Sequence, residues 1–517
     1  MKRVFFLIIS SLLLIGLVLP GCGTPGEQVP TIDVAVAGPM MFIQGEHMWI
    51  GAEMARDEIN AAGGINVGGV AHNINLVKTD TNEILSIPDA VTAIDRAITV
   101  DEVDLIIGGF HGEAIFPMTE EAMDYEKLFI VCGAAEEGII RRVVDDYNRY
   151  KYLFRGTPYN DHLLGVQLFK ILGTVGVLLS LALVEAEDNP ELNVNPDYEL
   201  GFPPEPLRVA IMAEDMTWAD SIVDAAMEVL PLLNMEVVET QRPSDTAESV
   251  HAELTAIAAK KPHIIFNILS ATVGIPYSRE RAELGIPALS VGINVEGQRK
   301  GFWEATDGGC EYDILLDAYA EGIQQTGLTK TFFDKFVAKT GEYPTYTADT
   351  YWALYNLKTT VEAVAVELET DNIADILDPD NIDVLITELE GIQREVASST
   401  IAYYPMPEGP TVEGQPTLSE DQVLALYPDV TYVPEEWTIP PHNAHDLVYG
   451  PAYATGVGAQ WQDGHKVGIW PLRLLERLPE LWQEEVSELL FDQYGNWDFA
   501  YPGTADIVIP ISWWLVD

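Results

Sequence analysis

Cysteine is almost missing from this chain: three occur in 517 residues, at positions 22, 132 and 310. Only Cys132 and Cys310 lie beyond the first thirty residues. That excludes a disulfide framework and allows at most one bridge, and two unpaired thiols are the expectation. Positive charge is scarce as well. Against 81 Asp and Glu stand 28 Lys and Arg, a formal charge of −53 at pH 7, which repels phosphate backbones and excludes nucleic acid as a partner. The acids are spread along the chain rather than massed in a tail, the pattern of a solvated surface. Catalytic signatures are missing too: there is no G-x-S-x-G, no P-loop and no H-E-x-x-H. His442 and His445 stand three apart in a proline-rich stretch without a third ligand at useful spacing, so no metal is expected. No cofactor and no turnover are expected, and an exported α/β hydrolase is the weakest of the readings.

Long apolar runs are few. The first, residues 4–18, follows Met1-Lys2-Arg3 and precedes Leu19-Pro20-Gly21-Cys22. It falls short of the roughly 20 residues of a membrane span, so residues 1–21 read as an export signal. Leu-Pro-Gly-Cys resembles the bacterial lipobox, which implies that Cys22 becomes the first mature residue and carries a lipid; the alternative is an ordinary signal with an incidental cysteine. Residues 22–30, rich in Gly and Pro, then form a tether. The second run, residues 171–184, is short for a span and contains Gly173 and Gly176, so it reads as a buried core helix. The Pro-, Asn- and acid-rich residues 185–206 after it read as an inserted surface loop.

What is present is an alternation of short β-rich runs and helical patterns. Residues 32–37, 74–78, 103–107 and 128–131 read as strands, with helices over 46–61, 89–99 and 116–125 between them. A second series follows: strands at 208–212, 236–239, 263–267 and 288–292, and helices from 161, over 218–230 and near 247–259. Such alternation builds parallel sheets covered on both faces. Residues 329–369 are helical in pattern, 405–441 loop-like, and 454–461 and 466–470 strand-like about a turn at Asp463-Gly464.

The ordered set Val36-Ala37-Gly38-Pro39, Gly51-Ala52-Glu53, Ile59-Asn60-Ala61-Ala62-Gly63-Gly64-Ile65, Ile106-Ile107-Gly108-Gly109, Phe154-Arg155-Gly156-Thr157-Pro158 and Gln460-Trp461-Gln462-Asp463-Gly464 resembles the type I periplasmic binding proteins. The likeness is to their branched-chain amino acid and amide group, the receptors of ABC importers, and runs with insertions over residues 31–471. It implies an α/β fold of two three-layer (αβα) lobes with parallel sheets joined by a hinge of three crossovers. Residues 31–157 are then the first part of lobe one, 158–312 lobe two, and 313–440 mainly the return to lobe one. Residues 441–471 supply closing strands and 472–517 a C-terminal extension, in which 507–516 read as an extra strand.

The resemblance also places a ligand site in the cleft. His111, Gly112 and Glu113 leave a strand and open a helix, whose N–H groups suit an anion. Relatives use a hydroxyl where Gly112 stands and a threonine near Ala135, leaving backbone contacts from Ala134 and Ala135. Trp218 matches an aromatic that stacks on ligands, and Asn294 falls where relatives have an acid for the ligand's ammonium. An amide cannot neutralise a cation, which points away from a simple zwitterion, and Glu113 or Glu136 are candidates to compensate. Gln44, Tyr159 and Ser270 complete the candidates. The implied partners are a small polar organic ligand, an ABC permease and, through the lipid, the membrane; the chain is expected to be a monomer. A ligand sensor of the same fold, signalling to a membrane partner, is the alternative.

Overall fold

Apolar runs ended by glycine set the frame of the first lobe. The computed structural model describes residues 29–157, 160–411, 417–428, 443–492 and 495–516, so the signal, Cys22, the tether, Tyr159 and His442 lie outside the described residues. Strands β1 (Thr31–Gly38), β2 (Ile65–Val67), β3 (Val70–Asp80), β4 (Leu105–Gly108), β5 (Phe129–Val131) and β6 (Leu153–Arg155) form one sheet in the order β2-β3-β1-β4-β5-β6. All neighbours are parallel except the β2–β3 hairpin. β4, β5 and β6 are buried along their whole length, as a sheet covered on both faces requires.

The covering helices follow from sequence in the same way. Helix Ile87–Thr99 starts where the Ser86 hydroxyl accepts the Asp89 N–H, carries Pro88 in its first turn, and buries Ala90, Ile94, Ala97 and Ile98 along one stripe. Helix Ile43–Ala61 lies against helix Thr350–Glu367, so the chain returns to the first lobe there. At Gly51 the former comes so close to the next segment that an added Cβ would lie 2.3 Å from the Ala348 carbonyl oxygen. Gly51→Ala is therefore expected to destabilise by about 1–3 kcal/mol through overpacking, read as a lower urea midpoint at unchanged slope.

The second sheet contains β7 (Leu207–Ala213), β8 (Met235–Gln241), β9 (Ile264–Leu269), β10 (Leu289–Asn294) and β11 (Ile314–Asp317) in parallel. Between β11 and its last members, β12 (Gln393–Glu395) and β13 (Thr400–Ala402) form a separate two-stranded pair. β14 (Val457–Gln462) and β15 (His465–Trp470) then add antiparallel strands, giving the order β15-β14-β11-β10-β9-β7-β8. Asp463 and Gly464 both have positive φ, 51° and 81°, which is the tight hairpin turn their sequence predicts. β11 belongs to this sheet although the return segment from 313 was expected in lobe one, because its wholly buried Ile-Leu-Leu-Asp run pairs with β10.

The apolar run at 171–184 is the middle of a longer helix, Asp161–Asp188. Among the described residues this helix alone is long and apolar enough to cross a membrane, yet 67% of its apolar window is buried inside the protein. It is a core helix, with Ile171, Leu172, Val175, Leu179 and Leu183 inside. Residues 189–206 form the expected surface loop, irregular and mostly exposed, although the helix takes its first residues to Asp188 and Val194, Tyr198 and Leu200 anchor it inward. Residues 507–516 are not the extra strand expected, since Pro510 interrupts the run and Ile511–Trp514 turn as a 3₁₀ helix. The two segments meet each other: Asn195 N–H donates to Trp514 O at 2.7 Å and Val516 N–H to Asn193 O at 2.8 Å. Nearby, the Ala505 N–H donates to Gly468 O at 2.7 Å and, with the Glu321 backbone bridged to Val467, covers the β15 edge. Cys132 and Cys310 are buried and unpaired, and burial raises both thiols.

Candidate functional site

In open parallel sheets, ligands bind at the carboxyl ends of the strands. Here those ends from the two lobes face one another. From lobe one come the turns after β4 (Gly108 to Gly112) and β5 (Cys132 to Glu136); from lobe two come those after β7 (Glu214 to Trp218), β9 (Ser270) and β10 (Ile293 to Val295). Gly108 and Gly109 have φ of 116° and 80°, a left-handed pair that turns the chain sharply into helix Gly112–Asp124.

Between the lobes lies a cavity whose walls include His111, Gly112, Glu136, Trp218, Ser270 and Tyr346. In this closed arrangement it measures about 30 Å³, and about 470 Å³ when its solvent-open mouth is counted. Sites for small organic ligands are typically about 300–1,000 Å³, a size this cavity reaches only with its open mouth included. The lobes are joined across the cavity rim by Gln44, whose Nε2 donates to Ser270 O at 3.0 Å.

Buried acids hold the walls. Glu214 is fully buried and accepts from Trp218 Nε1 at 2.6 Å, from Ser270 N–H at 2.7 Å and from the Ser270 hydroxyl. Burial raises its pKa, while the Ser270 and Trp218 donors hold it down. One carboxylate thereby fixes both Trp218 and Ser270. On the opposite lobe, Glu83 Oε1 accepts the Phe110 N–H at 3.1 Å and sets the turn before His111. Beneath the β5 turn, fully buried Arg155 donates from Nε to Asp446 at 2.6 Å, from Nη1 to Ala134 O at 2.5 Å and from Nη2 to Glu136 O at 3.0 Å. Asp446 also accepts from Asn160 Nδ2 at 2.8 Å, so the network ties the cavity loop to two chain segments that connect the lobes.

The sequence pattern described as periplasmic binding protein matches residues 34–391. The chain belongs to that family. An amino acid binding protein of Pseudomonas aeruginosa is 30% identical over 123 residues, 23% of this chain and 31% of that protein, so the match spans less than a third of the relative. Solved structures of the same fold include the solute-binding protein of an R. palustris ABC transporter in complex with benzoate, at TM-score 0.58 and 14% identity over 85% of this chain and 95% of that one. A branched-chain amino acid transporter substrate-binding protein of Streptococcus pneumoniae in complex with isoleucine matches at TM-score 0.56 and 16% identity, over 84% and 97%. Likeness at these identities is one of fold: two α/β lobes with parallel-dominated sheets. The family implies an extracytoplasmic location, and its members are binding proteins.

In this periplasmic binding protein the structure brings His111, Gly112, Ala135, Trp218 and Ser270 to the cavity wall, with Gln44 buried at the rim. Ala134 does not offer its N–H: that group donates to Gly109 O at 3.1 Å, and its carbonyl is held by Arg155. Glu113 is exposed and not part of the wall, because one step along the helix turns it by about 100° from Gly112. Asn294 also faces elsewhere: its Nδ2 donates to Gly274 O at 3.1 Å and its Oδ1 accepts the Gly297 N–H at 3.4 Å. Sequence reasoning assigned no role to Glu83, Arg155 or Glu214, although an acid directly after the apolar β7 run is a readable signal for the last. His445 is buried against the Leu153 carbonyl and Glu390, and no group of three or more metal-binding side chains occurs among the described residues.

Burial pushes Glu83 and Glu136 up to about 7 from an ordinary 4.5. The native state therefore holds more protons than the unfolded chain between those values, and stability falls as pH rises through 7. Neutral His47, held at about 3 by burial, acts in the opposite sense below 6.5. The melting temperature is expected to be higher at pH 6.5 than at pH 8, and Glu136→Gln to narrow that difference, with Glu83 still contributing, in a differential scanning experiment.

Proposed function

We propose that this chain is the substrate-binding protein of an ABC importer, capturing a small polar organic solute between its two lobes and presenting the closed form to a permease. The observation that carries the reading is a cavity at the facing strand ends whose two walls belong to different lobes, with Trp218 locked by Glu214 on one and the His111 turn on the other. Contacts to a solute from both walls exist only when the lobes meet, so binding favours closure. Family membership and the solute complexes of structural neighbours support capture rather than catalysis. In this reading residues 31–157 and most of the return segment 313–440 form lobe one, 158–312, extended to β11, form lobe two, and 441–471 supply the closing strands. Cys22 carries the lipid that tethers the protein to the membrane, and the protein acts as a monomer.

A thermal-shift panel of amino acids, amides, polyols, nucleosides and small carboxylates tests this. A ligand that binds only the native state at 100 times its Kd adds about 2.7 kcal/mol of stability. One chemical class is expected to raise the melting temperature, and Trp218→Ala to weaken that ligand about tenfold by removing a rigid aromatic contact. A shift unchanged in Trp218→Ala would place binding outside the cavity.

A further inference from the structure

Glu136 is the one acid of the cavity wall whose carboxylate has no partner. It is 6% exposed, and neither of its carboxylate oxygens receives a hydrogen bond. Gly112 makes room for it: a Cβ at that position would lie 1.1 Å from Glu136 Oε1. After burial, the groups acting on the carboxyl are its own backbone N–H, which lies close enough to favour ionisation without making a well-formed hydrogen bond, Asp161 and Glu113, which oppose ionisation, Arg155, which favours it, and the buried Tyr346 hydroxyl. Arg155 is not available to a ligand or to the carboxylate oxygens, since its donors go to Asp446 and to the carbonyls of Ala134 and Glu136. Among the described residues no Lys or Arg lines the cavity. His111, which does line it, has a buried Nδ1 without a partner, and burial lowers its pKa toward the neutral form.

Resting on the reading of this cavity as the ligand site, we propose that Glu136 is its recognition carboxylate and that the captured solute presents a cationic N–H group, an amidinium, guanidinium or protonated amine, rather than a carboxylate. A desolvated carboxylate with open acceptor positions is costly until a donor fills them. A planar amidinium or guanidinium fills both oxygens at once, and its charge offsets the desolvation. A ligand carboxylate at the same place meets like charge and no cation. Pairing keeps Glu136 ionised, so cation binding releases the proton that the empty site holds near neutrality, and affinity falls as pH is lowered through 7.

The test uses pairs of equal shape and opposite charge, acetamidinium with acetate and benzamidinium with benzoate, together with agmatine, titrated calorimetrically into the protein. The cation of a pair is expected to bind about tenfold or more tighter than its carboxylate. Its affinity should drop between pH 8 and pH 6. Glu136→Gln, which removes a buried unpaired charge and keeps the shape, is expected to leave the melting temperature equal or higher, to cost the cation about tenfold in affinity and to abolish the pH dependence. Tighter binding of the carboxylates, or cation binding indifferent to Glu136→Gln, overturns the inference and leaves solute capture standing. No binding by any of the probes, alongside a panel in which nothing shifts the melting temperature, overturns both.

Discussion

A chain ended at Trp470 is expected to lose cooperative folding. The extension buries Leu472, Leu474, Leu478, Val486, Leu490, Trp497 and Trp514, all no more than 5% exposed. At about 1.5–3 kcal/mol for each large apolar side chain, their loss exceeds the roughly 5–15 kcal/mol that holds a typical domain folded. Truncation also uncovers Val166, Phe169 and Val177 on the face of helix Asp161–Asp188 that Leu474, Val486 and Leu490 border. The same helix is apolar enough to pass for a membrane span, so its bare face promotes aggregation. Soluble yield and near-ultraviolet circular dichroism read the outcome. A soluble truncated protein with an unchanged melting temperature would refute this account of the extension.

Arg155→Ala is the second large effect. It leaves Asp446 as a buried charge without its counter-ion and strips donors from the carbonyls of Ala134 and Glu136. Removing one member of a buried pair costs about 3–5 kcal/mol, a loss readable in the denaturant midpoint. Arg155→Lys is expected to rescue little, because an ammonium cannot reach three acceptors in the plane that the guanidinium spans. Replacing both partners by apolar residues, Arg155→Met with Asp446→Leu, removes the unpaired charge and should recover part of the stability, while Asn160 and the carbonyls of Ala134 and Glu136 stay unsatisfied and residues 134–136 loosen. Stability and ligand affinity then separate, which distinguishes positioning of the cavity loop from a merely structural pair.

The frame of the fold was readable because its signals are local. Val36, Ile106 and Ile107 belong to apolar runs too short for helices, and Gly38, Gly108 and Gly109 stop them. Asp463-Gly464 specifies its hairpin with two residues. Trp218 entered through the resemblance to relatives with an aromatic there, and the structure places it on the cavity wall. What escaped depends on partners far apart in the chain. Arg155 and Asp446 are 291 positions apart, and Glu214 meets Ser270 across 56. Asn294 was drawn into the site by the resemblance, which places an acid of relatives there, but the nearby Gly274 carbonyl takes its side chain. The tail, with Trp513 and Trp514, was read as a strand, whereas Pro510 and the packing of Trp514 bend it into a turn.

The central claim is that solute capture closes the two lobes, and an interlobe distance measures it directly. Glu113 and Ser244 are exposed on opposite lobes, and the cysteines native to the described residues, Cys132 and Cys310, are fully buried. Spin labels on Glu113→Cys and Ser244→Cys, in a chain beginning after Cys22, therefore report only on the lobes. Without solute the account predicts a broad distribution reaching long distances; saturation with the best compound of the thermal-shift panel should collapse it to one short distance, and Trp218→Ala should prevent that collapse at the same concentration. Identical distributions with and without a saturating ligand would contradict capture by closure.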